Sequence, residues 1–165
     1  MSGNKTNRLL IRVLIGCGLL ICCALTVLAV RRFYSMYEQA ALRERENQKK
    51  IDRELESNFG RIVAPSDDIV VYHNSVPGLV NTTYKSVLSY EKIKTYYGNQ
   101  LTRSGWVFLI EQKVIYDGQD YGGKELIYCK GGYAATIQHA GQQESQFGWT
   151  YAFSMSSGQV KECKE

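Results

Sequence analysis

A chain of 165 residues has room for one domain and an appendage. Its formal charge of +4 is confined to residues 1–59, which hold ten Lys/Arg against six Asp/Glu, while residues 60–165 hold ten of each. A charge-balanced C-terminal part lacks the basic field that neutralises phosphates, so nucleic acid is not its expected partner.

After a short basic tail (1–8), residues 9–30 read LLIRVLIGCGLLICCALTVLAV, with Arg12 near one end as the only charge. As a helix this run spans roughly 33 Å, enough for a hydrocarbon core of about 30 Å. A domain this small could hardly surround a helix apolar on every face, which argues against a buried core helix. Leu-Ile-Gly-Cys at 14–17 resembles a lipoprotein cleavage site, but apolar residues rather than a polar tether follow it. Val-Leu-Ala at 27–29 suits signal peptidase, but the apolar run before it is too long for a cleaved leader. An uncleaved signal anchor is therefore expected, with the lipid bilayer as first partner. Cys17, Cys22 and Cys23 read as small apolar membrane residues, S-palmitoylation being the alternative near an interface.

Orientation rests on opposing signals. Arg31, Arg32, Arg43, Arg45, Lys49 and Lys50 follow the span, and counting positive charges alone places the C-terminal side in the cytoplasm. The tail before the span has no acid, however, and the later bases alternate with Glu38, Glu44 and Glu46. The second pattern leads to an exoplasmic C-terminal domain, periplasmic or extracellular, with the cytoplasmic placement as alternative.

Residues 31–60 have neither Pro nor Gly before Gly60 and are rich in helix formers, predicting a charged helical stalk that ends at Gly60. Glu46 with Lys50, Lys50 with Glu54, and Arg53 with Glu56 stand at helical pairing distance. A coiled-coil seam needs an apolar residue every 3.5 positions, and residues 43–50 contain none, so a solvated spacer is the simpler reading. Residues 61–79, with both prolines, read as a linker.

The soluble domain is predicted over residues 80–157, followed by a tail (158–165). Val80, Thr82 and Tyr84 alternate as one side of a strand. A helix follows, with Ser89 at its N-cap, Ile93, Tyr97 and Leu101 as an apolar stripe, and Gly105 just past its end. Gly98 in mid-helix weakens it by roughly 0.5–1 kcal/mol and signals close packing. Four strand candidates come next, 106–116, 124–130, 133–140 and 147–155, with the turn-forming 117–123 after the first and Gly131-Gly132 as a hairpin turn. The expected class is α+β: a transmembrane helix and helical stalk, then an antiparallel β-meander with one helix packed on one face. Phe147, Trp149, Tyr151, Phe153 and Met155 alternate with small residues, so this stripe is expected to face the helix. The opposite face should be flat and weakly polar.

Tyr96 to Trp106, YYGNQLTRSGW, resembles the Tyr-Tyr-x-x-x-Leu-x-x-x-Gly-Trp helix-to-strand signature of small bacterial membrane-tethered domains. The likeness covers about residues 80–140. It implies the fold and an envelope location, and carries no catalytic residue over.

Chemistry is sparse. His73 and His139 are the only imidazoles, and His-Glu-x-x-His, Gly-x-Ser-x-Gly, phosphate-binding glycine loops and paired Cys-x-x-Cys are absent from the sequence. No cofactor, metal or catalytic residue is expected. With the turn at Gly131-Gly132, Cys129 faces Ala134 and lies some 16 Å from His139, against the about 3 Å that a nucleophilic dyad needs. The same register puts Leu126 and Tyr128 inside with Ala135 and Ile137, and Cys129 outside with Thr136 and Gln138. Cys129 and Cys163 are candidates for a disulfide, with two free thiols in a reducing compartment as the alternative. Asp117 and Asp120 lack the spacing of a calcium loop and read as turn residues. Asn81 begins a glycosylation sequon inside a predicted strand.

The function expected from these residues is a non-enzymatic interaction or structural domain held at the cell envelope by one membrane helix, its partner another envelope or membrane protein. Thr136, Gln138, Thr150 and Ser154 on the outer sheet face are the candidate contact residues. The alternative is a small-ligand or enzymatic domain with an aromatic pocket between helix and sheet, lined by Tyr96, Tyr97, Trp106 and Trp149.

Overall fold

The structure, a computed structural model, describes residues 3–141, 145–158 and 160–163, with the backbone alone for 3–27, 29, 116 and 162. Helix α1 covers Gly3–Gly60 and contains the whole apolar run in its backbone. The side chains of 9–27 and 29 lie outside the described residues, and with them the membrane-span and palmitoylation readings. Among the described residues no helix is long and apolar enough to cross a membrane.

The chain divides into two compact units, Met1–Glu46 and Asn47–Glu165. The boundary corrects the reading of 31–60 as one solvated spacer, because α1 from residue 47 onward is part of the domain. Leu55 is 1% exposed within the core, and Phe59 stacks on Phe153 with ring centroids 5.1 Å apart. The acids of this segment turn to the sheet. Glu54 accepts a hydrogen bond from the Tyr133 hydroxyl (2.6 Å), Glu56 from Ser75 (3.1 Å), and Asp52 from the Gly78 amide (2.9 Å). Ile51, Leu55 and Phe59 recur at i, i+4 and i+8, an apolar stripe of helical spacing within a segment whose other residues are all polar or charged apart from the closing Gly60.

Strands β1 (Ile69–Val76) and β2 (Leu79–Lys85), helix α2 (Tyr90–Arg103), and strands β3 (Val107–Tyr116), β4 (Gln119–Lys130), β5 (Tyr133–His139) and β6 (Tyr151–Ser157) complete the domain, with a 3-10 turn at Lys161–Cys163. All ladders are antiparallel, in the order β1-β2-β6-β5-β4-β3. The domain is thus α+β with a six-stranded sheet. Two helical segments, not one, cover its core face, since Phe153 stacks on both Phe59 and Tyr97. The segment read as a linker contains β1, an edge strand whose Ile-Val-Val start does not alternate. Within 117–123 only Asp117 and Gly118 make the turn; β4 already begins at Gln119. Asp120 pairs with Lys113 at 2.6 Å and accepts the Gly122 amide, the role of a turn residue.

The register follows the period-two pattern. Val80, Thr82 and Tyr84 pair with Met155, Phe153 and Tyr151, and Ala135 and Ile137 flank them from β5. All are buried against Ile93, Tyr97 and Leu101. The stripe is shorter than its spacing implies, however. Phe147 lies in a turn, 70% exposed, and β6 starts only at Tyr151, so Phe147 and Trp149 are not part of this face. Lys130 pairs with Tyr133 across Gly131 and Gly132, whose φ values of 54° and 83° are those of a type I′ turn that only glycine enters freely.

Helix α2 ends in a Schellman motif. The Trp106 amide donates to Leu101 (2.9 Å), the Gly105 amide donates to Thr102 (3.0 Å), and Gly105 has φ 81°. Trp106 and Leu101 are both buried, the apolar contact that accompanies this cap, and it explains the Gly-Trp step from helix to strand. Ser89 occupies the N-cap, but its side chain makes no capping hydrogen bond. A Cβ at Gly98 would stand 3.0 Å from the Tyr128 hydroxyl, the close approach its position signals. Gly105→Ala is expected to lower stability by about 1 kcal/mol, measurable by urea denaturation, because φ near 80° is strained for any side chain. An unchanged midpoint would contradict this account of the cap.

Candidate functional site

The face of the sheet away from the helices is not flat. It carries a groove of about 710 Å³ whose lining includes Thr136 and Gln138 of β5, Ser154 and Ser156 of β6, and Leu109, Ile110 and Gln112 of β3. Ile127, Glu125 and Leu79 contribute from β4 and β2, and Val160 and Lys161 close one side. Hydroxyl and amide groups thus lie among aliphatic side chains, with one acid and one base. Glu125 accepts a hydrogen bond from Gln112 (2.7 Å), which ties edge strand β3 to β4 across the groove lining.

Val160 and Lys161 are held there by covalent chemistry. Cys129 of β4 and Cys163 are joined by a disulfide, with Cα atoms 5.2 Å apart and 34 positions between them in sequence. Ile127, Ala134 and Cys163 form a small apolar cluster on this outer face, with Cys129 and Val160 packed against it. The β4–β5 register that turned Cys129 outward is therefore what brings it to Cys163.

Three of the four residues expected on this face line the groove: Thr136, Gln138 and Ser154. Thr150 does not. It precedes β6, and its hydroxyl bridges to Ser86, accepting from the amide and donating to the carbonyl, each at 3.0 Å. It is a loop clamp, because β6 begins at Tyr151, four residues later than the alternating pattern from Phe147 implies.

The aromatic residues expected to share a pocket are not brought together. Tyr97 and Trp106 are core residues, fully packed between α2 and the sheet. Tyr96 packs at the margin, edge-on to Tyr97 with centroids 5.5 Å apart. Trp149 lines a different, smaller depression with Lys85, Ser86 and His139. The physical reason is size: Tyr97, Phe153 and Tyr151 fill the interval between helix and sheet themselves.

A chain of buried hydroxyls escaped the sequence reading. Tyr151 donates to the carboxylate of Asp68 (2.6 Å), and Tyr97 lies 2.9 Å from the Tyr151 oxygen. Burial pushes both phenols well above their ordinary pKa, and for Tyr151 the Asp68 carboxylate raises it further. Both stay protonated at neutral pH, so the chain anchors the start of β1 to the core and supplies no nucleophile. Nothing in the sequence around Asp68, in a Ser-Asp-Asp stretch, marks it as a core partner.

His139 sits at the far end of the β4–β5 hairpin from Cys129, opposite Lys124, and burial lowers its pKa. With Cys129 in the disulfide and the ring at the other end of the ladder, no dyad forms. Among the described residues no group of three or more His, Cys, Asp or Glu side chains could hold a metal ion. Compared with protein families, curated proteins and solved structures, the chain matches none.

Proposed function

We propose that this chain is a single-pass membrane-anchored protein whose α+β domain is displayed outside the cytoplasm and binds another envelope protein through the groove on the outer sheet face, without catalysis. Residues 9–30 serve as the membrane helix and residues 31–46 as the stalk. The observation that carries the binding role is the groove itself, a depression of about 710 Å³ on the one sheet face that no helix covers. Its hydroxyls and amides suit peptide groups, its aliphatic walls suit side chains, and its balanced charge suits neither a polyanion nor a polycation. The Cys129–Cys163 bridge supports an oxidising compartment, and so the exoplasmic orientation over the one a bare count of positive charges favours.

Site-directed photo-crosslinking in intact membranes tests this reading. A crosslinker at Thr136 or Ser154 is expected to yield one discrete protein adduct, and one at Lys92, exposed on α2, none. With the crosslinker at Thr136, Ser154→Arg should lower the adduct at least tenfold by filling the groove while leaving the disulfide formed. An adduct indifferent to that substitution, or equally strong from Lys92, would reject the groove as the contact surface.

A further inference from the structure

Among the described residues strand β3 is the last strand of the sheet and pairs only with β4, so there its outer edge offers backbone donors and acceptors outside any ladder. Edge strands are usually short or guarded. This one has ten residues, its register with β4 is irregular at Leu109 and Val114 and unbroken over Ile110–Lys113, and Val107, Phe108, Leu109, Ile110 and Ile115 are all substantially exposed.

Its sequence has a symmetry that a guard does not need. Around Gln112 the order is Ile110, Glu111, Gln112, Lys113, Val114: apolar, acid, amide, base, apolar. Read backwards it has the same polarity with the charges exchanged. We infer that the protein self-associates by antiparallel pairing of β3 with β3 of a second copy, across a two-fold axis at Gln112.

In that register, within the unbroken run Ile110–Lys113 of β3, Glu111 faces Lys113 of the other copy twice and Gln112 faces itself. Opposite charges directly across an antiparallel ladder attract and like charges repel, and a two-fold interface makes each contact in duplicate. The alternatives are poor. A two-fold normal to the sheet brings only residues of like parity opposite each other, so the neighbouring registers shift by two. One of these sets Glu111 against Glu111 and the other Lys113 against Lys113. The other free edge, β1, reads Ile-Val-Val-Tyr-His-Asn-Ser-Val and has no acidic or basic pair to select a register.

Within one chain Glu111 pairs with Lys94 and lies near Lys124, and Lys113 pairs with Asp120. These contacts hold the two charges on the strand and give the test its control. The self-pairing stands independently of the groove's partner, but because Leu109, Ile110 and Gln112 line the groove, it would set two grooves side by side.

The test uses the full chain in native membranes with single introduced cysteines and mild oxidation. Gln112→Cys should cross-link to itself at least fivefold more than Lys92→Cys, which lies on exposed α2. In the Gln112→Cys background, Glu111→Lys and Lys113→Glu should each reduce the cross-link at least fivefold, and the two together should restore it. A role confined to one chain predicts no rescue, since Lys94 and Asp120 are unchanged in the double variant. Cross-linking of Gln112→Cys no higher than that of Lys92→Cys overturns the proposal even if a charge variant fails to fold, and a double variant as poor as the singles overturns it equally.

Discussion

Removing the Cys129–Cys163 bridge, as the Cys129→Ser/Cys163→Ser double variant, is expected to lower the unfolding free energy of the domain by about 4 kcal/mol at the chain-entropy limit. The two cysteines are 34 positions apart, so the bridge closes a long loop in the unfolded chain and removes much of its freedom. Native-state contacts offset little of this loss. Among the described residues Cys163 belongs to the small cluster with Ile127 and Ala134, with Val160 packed against it, whereas the principal core lies on the other face. The loss should therefore appear as a lower urea midpoint with secondary structure retained, and a reductant should reproduce it on the unmodified chain. A change below 1 kcal/mol would show that the C-terminal segment holds its place by packing alone. Since Val160 and Lys161 border the groove, the bridgeless variant should also lose the adduct formed from Thr136.

Raising the pH from 9 to 11 should destabilise the domain by about 3 kcal/mol through Tyr97 and Tyr151 alone. The unfolded chain ionises its tyrosines near pH 10. In the folded domain burial holds both phenols protonated, and the Asp68 carboxylate beside Tyr151 opposes its ionisation further. Both folded pKa values are raised, so this stability is fully present below pH 10 and falls as pH rises toward the folded values. Each group contributes about 1.4 kcal/mol per unit above the unfolded pKa. Burial raises Tyr84 and Tyr128 as well, which acts in the same direction. Urea midpoints at pH 9 and 11 measure the effect, and phenolate absorbance should rise together with unfolding. A midpoint that does not move between these pH values would mean that the buried phenols ionise in place.

Local elements were legible because their causes are local. Ile93, Tyr97 and Leu101 recur at helical spacing, and Gly105 is a residue that accepts φ 81° without strain, so α2 and its end follow from a dozen residues. Gly131-Gly132 sets the β4–β5 register, and that register alone sends Tyr128 inward and Cys129 outward. Where alternation ran on past its element the reading failed. Phe147 and Trp149 continue the pattern of β6, but the chain turns before Tyr151, and Thr150 is spent on Ser86. Tyr97 and Trp106, expected as pocket walls, are the packing itself, because side chains as large as Tyr97 and Phe153 close the gap between helix and sheet.

By itself, then, the order of residues determined the apolar run at 9–30, the charge-balanced head, the helix α2, the glycine hairpin and the inside and outside of β4 and β5, all through spacings of a few residues that backbone geometry converts directly into faces. Tertiary structure decided the rest. It set β6 between β2 and β5 and joined Asp68 to Tyr151. It also shaped an outer face expected to be flat into a groove, by lining it from strands distant in sequence and lashing Val160 and Lys161 beside it. Those outcomes depend on which surfaces meet across many tens of residues, and no short-range periodicity encodes them.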